Sequence, residues 1–404
     1  MKNKHILIVT MHFYPTIFRV NDVAEELIKR GYKVTVVTGI PNFPQAKFAK
    51  GYGIFRKRRE TYNGIDIVRL PIFPRGNRSI SLILNYLSFQ FSGFFFSIFT
   101  RIKADHVLIY GTSPMIKARI GLRYAKRRKI NSTFYVMDLW PDNVQYAGNI
   151  HHKGILNYLT QSMTKIYQDT TRILTSSMSF IDKIAEMNIS KDKIEFWPQY
   201  AEDLFSGKEV EINLDDDTSN EVVNFIFAGS IGVAQGLDML IDSAVILKNQ
   251  DILVKFNIVG EGRERQNLMK QSEDLAVSHY FQFYGKRPLE EMPSYFKQND
   301  AALLTLQESP IFDLTIPAKL QSYMAYGLPI MASANGEVQS IVKLSNCGYC
   351  AKAGDVNEFT KNIIEFTKLT IKQRKELGSN AKTYSNKHFN KSKLMDRLEE
   401  IINT

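Results

Sequence analysis

Short apolar, β-branched runs recur along the chain, each followed by a stretch in which apolar residues return every three or four positions. In the first half the runs lie at 5–10, 33–38, 65–70, 106–110, 133–137 and 172–175; in the second they lie at 222–228, 252–259, 281–284, 300–306 and 328–332. Strands of nearly continuous Val, Ile and Leu are those buried on both faces, and their alternation with amphipathic helices predicts parallel sheets covered by helices, twice over. The series is interrupted by an acidic, apolar-poor stretch from Glu209 to Asn220 with Asp215-Asp216-Asp217 inside it. The pattern predicts two α/β domains, residues 1–205 and 222–385, a linker at 206–221, and a C-terminal helix at 386–404 that packs back towards the first domain. Open α/β sheets bind ligands beyond the carboxyl ends of their strands, so two such sheets facing each other are expected to enclose both substrates in a cleft.

One segment departs from this alternation. Ser79 to Thr100 holds no charge over 22 residues and is flanked by Arg75, Arg78, Arg101 and Lys103. Ser81, Asn85, Ser88 and Ser92 are spaced to share one helix face, and the other faces carry Ile83, Leu84, Leu87, Phe91, Phe94, Phe95 and Phe99. An interfacial helix with basic flanks and a helix buried on the sheet are the two competing readings, ahead of a membrane span.

Charge sharpens the division into halves. Residues 1–200 carry 30 Lys and Arg against 13 Asp and Glu, a balance of +17, within a chain whose net charge is +11. The first half is therefore expected to meet a polyanion or an anionic surface, with Arg56, Arg58, Arg75 and Arg78 as candidates beside Phe94 and Phe95. For each basic run, including Lys126-Arg127-Arg128-Lys129, a solvated face is the plainer reading. The two cysteines, Cys347 and Cys350, exclude a disulfide framework and fit a reducing, cytoplasmic setting, and residues 1–10 run into a strand rather than a signal peptide. Their CxxC spacing is read as packing, because no partner ligands accompany it.

Two segments carry recognisable chemistry. Ala228-Gly229-Ser230-Ile231-Gly232-Val233-Ala234-Gln235-Gly236 follows a strand, and Pro317-Ala318-Lys319-Leu320-Gln321-Ser322-Tyr323 opens a helix, with Pro317 expected in its first turn. Glycines let backbone approach a phosphate, a helix start offers unpaired N–H groups and a positive dipole end, and Lys319 adds a cation, so together they mark a place for a nucleotide diphosphate.

These residues support a family. Phe227 to Asp238, Ile258-Val259-Gly260-Glu261-Gly262-Arg263, Phe283-Tyr284-Gly285-Lys286-Arg287-Pro288, Glu291-Met292-Pro293 and Asp300-Ala301 follow one another in the order found in family 4 of the retaining, nucleotide-sugar-dependent glycosyltransferases. In the first half, His12-Phe13-Tyr14-Pro15, Asn42-Phe43-Pro44 and Val136-Met137-Asp138-Leu139-Trp140-Pro141-Asp142 match more loosely. With Gln321-Ser322-Tyr323, the last segment is similar to the WbuB-type N-acetyl-L-fucosamine transferases of O-antigen and capsule assembly. The resemblance implies a GT-B fold of two facing Rossmann-like domains. It implies a UDP-sugar donor, an undecaprenyl-diphosphate-linked saccharide as acceptor, retention of configuration, and attachment to the inner face of the cell membrane. The donor residues it implies are Gly229, Ser230, Gln235, Gly262, Arg263, Gly285, Lys286, Thr315, Lys319 and Ser322; the catalytic ones are Asp138 and His12.

The chain also departs from the family. Leu314 and Ser322 stand where relatives place two glutamates, and Ser230 and Gln235 replace an arginine and a lysine in the first donor loop. The diphosphate charge then falls to backbone N–H groups, Lys319, and Arg263 or Lys286. No aspartate pair or histidine cluster has metal-ligand spacing, so neither a metal nor a cofactor is expected. Plainer readings stand beside these: Asp138 as a loop cap, His12 as a strand-end hydrogen bond, Trp140 and Trp197 as core or cleft wall. A nucleotide-binding scaffold without turnover is the alternative the missing glutamate favours. Nucleic-acid binding is the alternative the charge favours, but no such module is recognisable and nucleic acid is not an expected partner.

Overall fold

The structure is a computed structural model that describes residues 4–42, 47–76, 79–205 and 222–404. The linker expected at 206–221, Arg78 and Phe43-Pro44 lie outside the described residues. Two compact units are present, Met1–Trp197 with Ser392–Thr404, and Pro198–Lys391.

The first unit is an eight-stranded sheet. Its strands are β1 (His5–Val9), β2 (Lys33–Gly39), β3 (Arg59–Tyr62), β4 (Ile65–Leu70), β5 (His106–Gly111), β6 (Asn131–Val136), β7 (Arg172–Thr175) and β8 (Ile194–Phe196), in the order β3-β4-β2-β1-β5-β6-β7-β8. Helices α1 (Arg19–Lys29), α2 (Ser79–Phe99), α3 (Ala118–Arg128), α4 (Lys153–Asp169) and α5 (Ser179–Ala185) connect them. The sheet is parallel except for β3, which pairs antiparallel with β4. That strand escapes the apolar pattern because Arg59-Glu60-Thr61-Tyr62 is an edge, exposed at alternate residues. The order reverses beside β1, whose neighbours are β2 and β5. The loops after β1 and β5 therefore flank the position where such sheets take ligands.

The C-terminal residues belong to this unit. Along α14 (Lys391–Asn403), Asp396 and Glu399 meet the Arg30 guanidinium at 2.6 and 2.9 Å, and the Leu394 carbonyl accepts Trp197 Nε1–H at 2.7 Å.

The second unit is a six-stranded, wholly parallel sheet. Strands β9 (Val223–Ala228), β10 (Val254–Val259), β11 (Phe281–Gly285), β12 (Ala301–Thr305), β13 (Ile330–Ser333) and β14 (Gly348–Ala351) lie in the order β11-β10-β9-β12-β13-β14. Helices α6 (Asp238–Asn249), α7 (Arg265–Asp274), α8 (Met292–Lys297), α9 (Pro310–Asp313), α10 (Ala318–Tyr326), α11 (Gly336–Ser345), α12 (Val356–Thr367) and α13 (Ile371–His388) cover it. Phe225 packs on Phe256 and Phe366 within a continuous buried cluster. The division between units falls after Trp197, not after residue 205, because Phe205 stacks on Phe296 at 5.2 Å and anchors 198–205 to this unit.

Helix α2 reverses the usual amphipathic arrangement. Its polar stripe faces protein: Asn85 is fully buried and donates to the Phe73 carbonyl at 2.5 Å, and the Ser92 hydroxyl donates to the Pro71 carbonyl at 2.5 Å. The apolar faces are left outside, with Leu87 55%, Phe91 67% and Phe99 71% exposed. By length and composition Ile80–Phe99 is long enough to cross a membrane, and only 22% of its apolar window is buried, so the reading as a helix buried on the sheet is corrected. Part of the basic density has a local task. Arg127, which is exposed, and Arg128, which is half-buried, donate to the carbonyls of Ile98, Thr100 and Ile102 at and beyond the end of α2.

Candidate active site

In the second unit the loops after β9 and β10 are pressed together. Gly229 N–H donates to the Val259 carbonyl and Ile231 N–H to the Glu261 carbonyl, both at 2.9 Å. A Cβ on Gly260 would stand 1.8 Å from the Gly229 carbonyl oxygen, and its φ of +151° is one that side chains rarely adopt. The Tyr323 hydroxyl, on α10, receives the Ala228 N–H at 2.8 Å and fixes the loop to that helix.

Lys319 lies beside this loop in the first turn of α10. Its Nζ is 3.8 Å from the centre of the Phe227 ring and 3.3 Å from where a Gly229 Cβ would be. That nitrogen is buried without a hydrogen-bond partner among the described residues, and burial pushes its pKa down to about 7. No side chain caps α10, whose N-cap is Pro317, one residue earlier than expected. A buried unpaired cation, an uncapped helix start and a glycine turn are arranged to receive a multiply charged anion.

The other expected donor residues divide. Gly229, Ser230, Gly262, Arg263 and Lys286 are exposed, and Gly285 takes a φ of +70° at the end of β11. Gln235 does not present its amide oxygen outwards: Oε1 accepts the Gly232 N–H at 3.0 Å and its carbonyl accepts Thr305 Oγ1–H at 2.6 Å, so it closes the loop. The Thr315 hydroxyl donates to the Ile311 carbonyl at 2.7 Å. Ser322 donates to Glu202 Oε2 at 3.2 Å. A carboxylate therefore does stand beside Ser322, but it comes from 120 residues away in the chain, where no motif could reveal it.

In the first unit Asp138 follows β6 and is held by three hydrogen bonds. Oδ2 accepts the Ser113 N–H at 2.7 Å and its hydroxyl at 2.8 Å, while Oδ1 accepts Asn143 Nδ2–H at 3.2 Å. Trp140 Nε1–H donates to the same Ser113 hydroxyl at 3.1 Å. Lys117, unseen in the sequence because it follows no motif, is wholly buried and donates to the Thr112 carbonyl and hydroxyl at 2.6 and 2.9 Å. Burial lowers its pKa to about 7, opposed by the charge of Asp138. His12 stacks on Phe18, and burial, then Lys117 and Arg75, lower its pKa to about 4, so its imidazole is neutral near pH 7. Buried Arg69 donates to the Tyr14 carbonyl at 2.6 Å and pairs with Glu60, which fixes the loop carrying His12. Arg75 N–H donates to Asn42 Oδ1 at 3.0 Å, Arg58 is tied to the carbonyls of Arg69 and Ile54, and Arg56 is exposed. Among the described residues no group of three or more His, Cys, Asp or Glu is placed to hold a metal ion.

Comparison with known proteins follows the same division. Residues 215–384 match the model of the family described as Glycosyl transferases group 1. The putative colanic acid biosynthesis glycosyl transferase WcaI of Escherichia coli (strain K12) is 24% identical over 339 residues, covering 80% of this chain and 81% of that protein. The probable glycosyltransferase WbjE of Pseudomonas aeruginosa is 25% identical over 312 residues, covering 74% and 76%. Among solved structures, Anabaena Alr3699/HepE in complex with UDP and glucose superposes with a TM-score of 0.67 at 13% identity, over 99% of this chain and 100% of that one. The chain has the GT-B fold of two Rossmann-like α/β units, and its residues 215–384 resemble the group 1 glycosyltransferases.

Proposed function

We propose that the protein transfers one sugar from a UDP-sugar to an undecaprenyl-diphosphate-linked saccharide, with retention, during assembly of a bacterial capsule or O-antigen repeat unit. The observation that carries the reading is the buried, unpartnered Lys319 ammonium at the uncapped start of α10, beside the Gly229 loop. The diphosphate gains negative charge as the glycosidic bond breaks, and fixed N–H dipoles with a desolvated lysine stabilise that charge more in the transition state than in the bound donor. Arg263 and Lys286 add exposed cations, and the protein meets the charge without a metal. Glu202 with Ser322 receives the ribose hydroxyls in place of the missing glutamate.

Asp138, locked by Ser113 and Asn143, orients the acceptor hydroxyl, and neutral His12 offers a hydrogen bond to a sugar hydroxyl. The acceptor hydroxyl attacks on the face the diphosphate leaves, and its proton passes to the departing phosphate oxygen. The name of WcaI, a putative colanic acid biosynthesis glycosyl transferase, supports a polysaccharide pathway, and the HepE complex supports a UDP-linked donor. N-acetyl-L-fucosamine is the sugar proposed, from the likeness of Val136 to Asp142 to the WbuB type.

The outward apolar face of α2 and the basic balance of the first half support a peripheral position on the inner face of the membrane, where the acceptor lipid resides. The test is incubation with UDP-N-acetyl-L-fucosamine and an undecaprenyl-diphosphate saccharide, read by mass spectrometry. Addition of one sugar supports the proposal, and absence of product from every UDP-sugar offered would sink it.

A further inference from the structure

Helix α2 has a second apolar feature, which shares Phe91 and Phe99 with its outward faces. Between its C-terminal half and β4 lies a recess of about 490 Å³, within the ~300–1,000 Å³ of small-molecule sites. Phe91, Phe95 and Phe99 form one wall and Leu70 the other, with Arg58 and Arg59 at the rim and no acidic residue among those that line it. The Ser92 hydroxyl on this lining is spent on the Pro71 carbonyl, which leaves the surface apolar. Arg58 is held in place by its bonds to the Arg69 and Ile54 carbonyls, while Arg59 is exposed.

From Pro71, on the lining of the recess, the chain leads along α2 towards Arg75. Residues 71–75 run along α2, held by the Ser92–Pro71 bond, by Ser88 Oγ accepting the Phe73 N–H at 2.9 Å, and by Asn85. At the far end Tyr86 feels the charges of Arg75 and Asp138. Phe95 lies nine positions beyond Tyr86 on the helix, roughly 13 Å along the axis. An elongated amphiphile laid along α2 with its hydrocarbon at Phe95 therefore points its polar end towards Asp138.

We propose that this recess holds the hydrocarbon chain of the acceptor: a single polyprenyl chain, with its diphosphate oxygens on Arg58 and Arg59. The proposal rests on the lipid-linked acceptor reading above and gives it a location. A recess walled by phenylalanines on one side and a strand on the other, and lined by two guanidinium groups, matches an anionic single-chain lipid. Ile83, Leu87 and Phe94, which are exposed and do not line the recess, match a bilayer surface instead.

The test uses the full chain with UDP at saturation, so that the second unit's anion site is occupied, and farnesyl diphosphate as a soluble probe. Calorimetry is expected to show farnesyl diphosphate binding at least about tenfold more tightly than inorganic diphosphate. Phe95→Glu and Arg59→Ala are each expected to weaken it by about tenfold while UDP binding is unchanged. If Phe95→Glu loses its circular dichroism spectrum, Arg59→Ala decides. Equal farnesyl diphosphate affinity in wild type and variants would overturn the proposal. So would variants that lose only adsorption to phosphatidylglycerol vesicles, since the face would then be a bilayer contact. Normal UDP binding without prenyl recognition sinks the recess alone; prenyl recognition without UDP binding sinks the transferase reading and leaves the recess.

Discussion

The Lys319 ammonium stands 3.8 Å above the Phe227 ring with no hydrogen-bond partner among the described residues. A cation in this position is kept by an aromatic face but desolvated, and burial brings its pKa to about 7. An arriving diphosphate supplies the missing counter-charge and holds the lysine protonated. Lys319→Ala is expected to weaken UDP binding by about 10- to 100-fold, the range for a charge-assisted hydrogen bond, in a calorimetric titration.

The same lysine sets a pH dependence. In the free protein it is protonated below about 7 and neutral above; bound to diphosphate it stays charged to higher pH. UDP affinity should therefore be level just below pH 7 and fall as pH rises through 7 to 9, with a proton taken up on binding at pH 8. Titrations at pH 8 in two buffers of different ionisation enthalpy measure that proton. Equal apparent enthalpies would show that Lys319 does not change its charge on binding.

Gly260→Ala places a methyl group 1.8 Å from the Gly229 carbonyl and forces a φ of +151° on a residue with a side chain. A destabilisation of about 1–3 kcal/mol is expected, together with loss of UDP binding, because the two loops separate. Urea denaturation and a UDP titration on the same sample check both effects; retained UDP affinity would show that the loop contact is dispensable.

Every long apolar strand of both sheets was legible in the sequence, because strands covered on both faces leave a signal that local context cannot erase. Strands β3 and β8 and the edge strand β14 were not, since four residues or fewer of mixed polarity carry no period. The Gly229 loop and Lys319 were legible because the phosphate chemistry is local: a turn and a helix start. Glu202 beside Ser322, and Lys117 near Asp138, were not, because each is brought in by tertiary packing. The polar stripe of α2 was seen, but a stripe does not say which side is protein.

Asp138→Asn leaves one carbonyl oxygen to serve Ser113 and turns an amide towards the Asn143 amide that now donates to Asp138. It also removes the negative charge near buried Lys117. Turnover is expected to fall by about tenfold or more while UDP affinity stays at the wild-type value. Steady-state kinetics beside a UDP titration separate the two, and wild-type turnover would remove Asp138 from the site.

His106 is 3% exposed, shares a 2.9 Å hydrogen bond with Thr133 Oγ1, and has its pKa lowered to about 4 by burial. Between pH 6.5 and 4 the unfolded chain binds the proton that the folded chain refuses, so this contribution to stability is complete above pH 6.5 and is lost as pH falls to 4. His12 adds in the same direction. Melting temperature should drop across this window, and His106→Gln should flatten the drop; an unchanged slope would assign the acid sensitivity elsewhere.

In the function proposed, the second unit holds a uridine diphosphate sugar through Lys319 and the Gly229 loop. Calorimetric titration of the wild-type protein with UDP, GDP and a panel of UDP-sugars, without added metal, tests it most directly. Selective UDP binding, tightened by one sugar and weakened in Lys319→Ala, is the expected result. Absence of binding by every nucleotide, or undiminished UDP affinity in Lys319→Ala, would contradict it.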